Sequence, residues 1–187
     1  MEEICIGGGG TKGIAFLGAL YELEKNGLID NLKKISGTSI GGFFAVLLSI
    51  GYKPSEILTE LFKIDLTDIK DIDITGILIN KSLMKGEKFK HFMKNIICKK
   101  SNPEITLKEL YEKTKIHLIV TSTCVDKGKI EYMSHETDPE LTIFKLVCMT
   151  TSIHFIFPPE IYKECYYADG KIIDNLPLKV LKQGSWV

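Results

Sequence analysis

Two glycine-rich turns, each set directly after a short apolar run, constrain this chain more than any other feature. Ile4-Cys5-Ile6 leads into Gly8-Gly9-Gly10-Thr11-Lys12-Gly13, and Lys33-Lys34-Ile35-Ser36 leads into Gly37-Thr38-Ser39-Ile40-Gly41. After the first turn Ile14, Leu17, Leu20, Tyr21 and Leu23 recur at helical spacing, and after the second Phe43, Phe44, Val46, Leu47, Leu48 and Ile50 form a helix apolar nearly all round. The order is strand, loop, helix, twice over. Strands joined through a helix run the same way, so the pattern predicts an α/β fold, a three-layer sandwich with a mainly parallel central sheet and a buried second helix.

The remaining segments fit that architecture. Asn26-Gly27 closes the first helix, and Pro54-Ser55 opens another that runs to about Phe62. The stretch from Asp65 to Ile79 has no clear period and is read as irregular. Gly86 to Lys100 is amphipathic, with Phe89, Phe92, Met93, Ile96 and Ile97 on one side and Lys88, Lys90, Lys94 and Lys99 on or near the other. Such a helix either packs its apolar stripe on the core, the commoner outcome, or lies on anionic lipid. Thr106 to Tyr111 predicts a short helix and Ile116 to Cys124 a buried strand. The turn at Asp126-Lys127-Gly128 makes Ile130 to Ser134 that strand's antiparallel partner. Pro139 to Met149 and Leu176 to Leu181 read as the last helices, and Pro158-Pro159 breaks the chain between them.

At 187 residues the chain has the length of one domain, 1–187. Its 24 cations, all lysine, balance 24 carboxylates, which offers no electrostatic case for a nucleic-acid partner. Five scattered cysteines without a C-x-x-C pair suggest neither a disulfide framework nor a metal cluster and fit a reducing, cytoplasmic compartment. Glu2 and Glu3 stand where a signal peptide carries positive charge, and no apolar run reaches the ~18 residues of a membrane span. Any membrane contact is expected to be peripheral.

Chemistry concentrates at the turns. A serine hydroxyl needs a neighbouring base, and the ester carbonyl it attacks needs donors for the charge that develops on oxygen. Ser39 lies between Gly37 and Gly41, whose missing Cβ atoms allow a sharp strand-to-helix elbow. Taken alone, a serine there is more often a plain helix N-cap after a tight turn. The upstream loop from Gly8 to Gly13 favours the catalytic reading, because backbone N–H groups at a strand end that opens a helix form an anion site. Asp169-Gly170, after Tyr166-Tyr167, supplies a carboxylate that could serve as base, although an Asp-Gly turn is the ordinary reading of that dipeptide alone.

With these residues the chain resembles the patatin-like phospholipase domain over almost its whole length. Gly8-Gly9-Gly10-Thr11-Lys12-Gly13 fits the G-G-G-x-[RK]-G loop, Gly37-Thr38-Ser39-Ile40-Gly41 the nucleophile elbow, and Asp169-Gly170 the aspartate motif. Thr150-Thr151-Ser152 through Pro159, and Asp174-Asn175-Leu176-Pro177, resemble the segments before and after that aspartate. The resemblance implies a Ser39–Asp169 dyad without histidine and an oxyanion hole from Gly8, Gly9 and Gly10. Lys12, Gly13, Gly37, Gly41 and Gly170 would support the motifs. It further implies an acyl-Ser39 intermediate and a phospholipid or other lipid ester substrate met at a membrane surface, with no metal and no cofactor. Lys171 stands where the family has Gly or Ala, and if it disabled Asp169 the chain would be a lipid-binding module of the same fold.

Two other readings compete. The first loop also satisfies G-x-G-x-x-G, but a dinucleotide site wants an acidic residue ending the second strand, where Ser36-Gly37 stands. A Ser-His-Asp triad in α/β-hydrolase order wants a histidine after the acid, and His91, His117, His135 and His154 all precede Asp169.

Overall fold

A computed structural model describes residues 1–63, 67, 71, 72 and 82–181. The elements that carry the site are β1 (Glu3–Ile6), α1 (Ile14–Lys25), β2 (Lys34–Thr38) and α2 (Ile40–Ser49). They are followed by α3 (Pro54–Leu61), α4 (Glu87–Cys98), α5 (Leu107–Thr114), β3 (His117–Cys124), β4 (Lys129–Met133), α6 (Ile143–Thr150), β5 (Glu160–Tyr162) and β6 (Cys165–Asp169). Short 3-10 turns span Gly10–Gly13, Gly170–Ile172 and Leu178–Val180.

The strands form one open, mixed sheet in the order β1-β2-β3-β6-β5, with β4 also on β3. β1, β2 and β3 pair in parallel, as the two strand-loop-helix units require, while β4 and β6 run antiparallel to β3 and β5 antiparallel to β6. β5 therefore shares the direction of β1 to β3, and four of the six described strands run the same way. This is the α/β architecture that the strand-loop-helix pattern predicts.

Hydrophobicity explains which elements lie deepest. From Gly41 to Ser49 every residue of α2 is buried, so the helix with no polar face occupies the centre of the core. β3, buried from Leu118 to Cys124, is the strand against which the rest of the sheet is built. α4 seats Met93, Ile96 and Ile97 in the core, with Phe92 against Phe43 and Phe89 stacked on Phe157. Several of its lysines are tied down within the chain: Lys90 to Glu160, Lys94 to Glu104 and, just past its end, Lys99 to Glu60.

Three segments depart from the sequence reading. The helix expected from Pro139 begins at Ile143, because the Pro139 and Leu141 carbonyls accept the Lys108 and Leu107 N–H groups that open α5, and Thr142 caps the shortened helix. The helix expected over Leu176 to Leu181 is a single 3-10 turn after Pro177. The β5–β6 hairpin has no clear alternation to announce it; Lys163 and Glu164, at φ 46° and 60°, make its two-residue turn. Most of the stretch from Asp65 to Ile79 lies outside the described residues.

Candidate active site

The register of β3 assembles the site. Its residues 117–121 pair with β2, ending Thr38 opposite Thr121, and its residues 122–124 pair with β6, ending Asp169 opposite Ser122. β4 takes the opposite edge over residues 120–124, so β2 and β6 must share one edge of β3, tip to tip. Ser39, one residue past the end of β2, thus meets Asp169, the last residue of β6.

Ser39 Oγ donates to Asp169 Oδ2 at 2.6 Å, and both residues are buried. Ser39 has φ 57° and ψ −127°, a left-handed elbow strained for any residue with a Cβ. It stands at the N-cap of α2 but makes no side-chain cap bond, so its hydroxyl serves Asp169 instead of the helix. The Ser39 N–H donates to Thr150 Oγ1 at 2.8 Å, and its carbonyl accepts from Phe43 N–H at 3.0 Å. These bonds hold the elbow open.

The flanking glycines are there for steric reasons. A Cβ on Gly37 would lie 2.5 Å from the Gly41 carbonyl oxygen, and one on Gly41 would lie 2.3 Å from that of Ile6. The strand-to-helix reversal and the seating of α2 against the end of β1 leave no room for either. Gly13 meets the Ile40 side chain and Gly170 meets Thr121, which brings the first loop onto the elbow and the aspartate turn onto β3.

Asp169 is fixed at every polar atom. Oδ1 accepts the Lys171 N–H at 2.9 Å, its own N–H donates to the Ser152 carbonyl at 2.8 Å, and its carbonyl accepts from Thr123 Oγ1 at 3.1 Å. Burial raises its carboxyl above the ordinary aspartate value, against the opposing pull of the Ser39 hydroxyl, the Lys171 N–H and the Lys171 charge. A raised carboxyl is a stronger base. Lys171 supports Asp169 through its main chain, which any residue but proline could do, and its side chain is exposed rather than packed into the dyad.

The glycine loop lies beside Ser39: a Cβ on Gly8 would approach Ser39 Cβ to 3.3 Å. The Gly8 N–H, however, donates to the Asn175 carbonyl at 3.0 Å, while Asn175 Nδ2 donates back to the Gly8 carbonyl at 3.2 Å. Of the three expected oxyanion donors, Gly8 is therefore occupied in holding the loop. The N–H groups of Gly9 and Gly10 have no acceptor among the described residues. Lys12 is exposed, and its N–H closes the turn onto the Gly9 carbonyl.

Thr150 and Asn175 are the working residues that spacing does not single out, although both sit in segments carrying the family resemblance. Asp174 is anchored in turn: its carbonyl accepts from Thr38 Oγ1 at 3.1 Å and its carboxylate from Tyr132. The histidines lie elsewhere. His117 and His135 pack with Tyr111 around the first residue of β3, at the end away from Asp169, and His91 and His154 are exposed. β2 ends in Thr38 with no acidic residue at its tip.

Comparison with known proteins points to one family. The family model described as patatin-like phospholipase matches residues 4–182. A protein named "Probable lipid hydrolase 463L", from Invertebrate iridescent virus 6, is 35% identical over 186 residues, covering 96% of this chain and 62% of its own length. "Lysophospholipase NTE1" of Lodderomyces elongisporus is 25% identical over 195 residues, covering 96% of this chain and 12% of that protein. The chain thus spans about three fifths of the viral relative and a small part of the yeast one. Among solved structures, VipD from Legionella pneumophila superposes with a TM-score of 0.73 at 22% identity, covering 97% of this chain and 48% of that one, a likeness of fold. Among the described residues, no helix is long and apolar enough to cross a membrane.

Proposed function

Since this chain belongs to the patatin-like phospholipase family, we propose that it hydrolyses carboxylic esters of lipids through a Ser39–Asp169 dyad. The observation that carries this reading is the 2.6 Å hydrogen bond between two buried side chains delivered by two strand ends. A buried aspartate and a strained serine both cost stability, and such costs cluster where a site uses them.

In the proposed reaction Ser39 Oγ attacks the ester carbonyl carbon while its proton passes to Asp169 Oδ2. The Gly9 and Gly10 N–H groups, with the N-terminus of α2, take the negative charge on the carbonyl oxygen. Collapse breaks the bond to the leaving alkoxide, which recovers the proton from Asp169 and departs as lysolipid or alcohol. Water then attacks acyl-Ser39, giving its proton to Asp169 and releasing the fatty acid as the proton returns to Ser39.

Fatty-acid release from phospholipid vesicles, compared between the native chain and Asp169→Asn, tests the reading. Release by the native chain with a loss of at least about a hundredfold in the variant supports it, in line with the usual weight of a general base. Equal release by both would remove Asp169 from the mechanism. Binding to the vesicles without release would favour the lipid-binding alternative.

A further inference from the structure

A second cluster of reactive side chains lies at the other end of β6. The register that sets Ser122 opposite Asp169 sets Cys124 opposite Tyr167, and the pairing continues to Val125, whose N–H donates to the Tyr166 carbonyl at 2.8 Å. Opposed residues of an antiparallel pair, and residues two apart on one strand, share a face, so Cys124 and Cys165 project together, and Asp126 lies in the turn just past β3. Both sulfurs and a carboxylate oxygen of Asp126 lie within 4.8 Å of one another.

We propose that Cys124, Asp126 and Cys165 bind a zinc-type divalent cation through two thiolates and one carboxylate, with water in the fourth position. Zinc–sulfur bonds of about 2.3 Å and zinc–oxygen bonds of about 2.1 Å place the donors of a tetrahedral site ~3.5–3.8 Å apart. The observed spacing closes to that with side-chain rotations that move the donor atoms by about an ångström. Paired thiolates select zinc over magnesium or calcium, which prefer oxygen cages.

The surroundings suit this use. Cys124 is buried, Cys165 half-buried and Asp126 exposed, so the cation can reach an inner thiolate from the solvent side. Asp126 Oδ2 accepts the Tyr166 N–H at 2.6 Å, which orients the carboxylate. Two thiolates and a carboxylate around a divalent ion leave one net negative charge, and the Lys127 ammonium, close enough to act on both sulfurs, opposes it. Lys127 also pairs with Glu131 at 3.4 Å, and Glu131 accepts the Tyr167 hydroxyl on the same face.

Uptake of the cation releases one proton from each thiol, so affinity falls as pH is lowered. The bound ion would join the start of β6 to β3, at the far end of the strand from Asp169. The site stands independently of the dyad.

Cobalt(II) titration of the reduced native chain tests the site directly, with Cys165→Ser, Asp126→Asn and Cys98→Ser alongside. The expected result is a thiolate-to-cobalt charge-transfer band and tetrahedral d–d bands that saturate at one equivalent and are displaced by zinc. The band should vanish in Cys165→Ser, weaken in affinity more than about tenfold in Asp126→Asn, and persist in Cys98→Ser, whose cysteine is exposed outside the cluster. Circular dichroism confirms that each variant is folded. Absence of the band at one equivalent, its survival in Cys165→Ser, or oxidation to a Cys124–Cys165 disulfide without any cobalt uptake would overturn the proposal.

Discussion

Thr38 and Asp169 are held tip to tip, opposite the consecutive residues Thr121 and Ser122 of β3. Thr38 ends a strand that runs with β3 and Asp169 ends one that runs against it, so the two chain ends converge on one point of the sheet. The Ser39–Asp169 pair is therefore positioned by main-chain pairing, and the 2.6 Å contact between the two side chains is consistent with that register.

The raised carboxyl of Asp169 fixes two pH effects. The proposed reaction needs the ionised form, so the acid limb of kcat/KM should lie above the ordinary aspartate value of about 3.9. Removing the Lys171 charge, which draws that carboxyl down, should move the limb to higher pH in Lys171→Ala. For stability, a group whose folded value is raised contributes fully below its unfolded value and loses that contribution as pH rises through the folded one. Asp169→Asn should thus be more stable than the native chain at neutral pH, as thermal melting at pH 4 and pH 7.5 will show.

Two glycine substitutions should act in opposite directions. In Gly41→Ala the new methyl would sit 2.3 Å from the Ile6 carbonyl oxygen, and unfolding in urea should reveal a loss of about 3 kcal/mol or more. Gly18 lies inside α1, and a methyl there would meet nothing within 4 Å, so Gly18→Ala should gain about 0.5–1 kcal/mol in the same experiment.

Thr150→Val keeps the shape of the side chain and removes the acceptor of the buried Ser39 N–H. An unpaired buried donor costs about 1–3 kcal/mol. Because that donor belongs to the proposed nucleophile, kcat should fall with little change in KM, a split that steady-state kinetics will resolve.

Glu160 joins three elements, accepting from Lys90 of α4 at 2.7 Å and from Lys145 of α6 while lying in β5. Burial raises its carboxyl, but the two lysines outweigh burial and hold it below the ordinary glutamate value. The stabilisation is therefore present above that ordinary value and lost as pH falls through the lowered one. With the lysines partly in solvent, Glu160→Gln should cost about 1–3 kcal/mol at pH 7 in urea unfolding, and the difference should shrink in acid.

The parts of the fold legible in the sequence are those where one local rule acts alone. The glycine turns mark the ends of β1 and β2, the all-apolar run marks α2, and the β-branched run marks β3. The N-terminus of α6 and the turn after Pro177 escape local rules because their backbone groups serve distant partners: the Pro139 and Leu141 carbonyls serve α5, and the Val180 carbonyl accepts from Lys34 Nζ. The same reason hides the occupied Gly8 N–H and the grouping of Cys124 with Cys165, which only the β3–β6 pairing brings together.

The central claim, that Ser39 is a nucleophile activated by Asp169, is tested most directly by intact mass after reaction with a fluorophosphonate. The native chain should gain a single adduct that is absent in Ser39→Ala and slowed about a thousandfold in Asp169→Asn. No adduct on the folded native chain, or an adduct that survives Ser39→Ala, would contradict it.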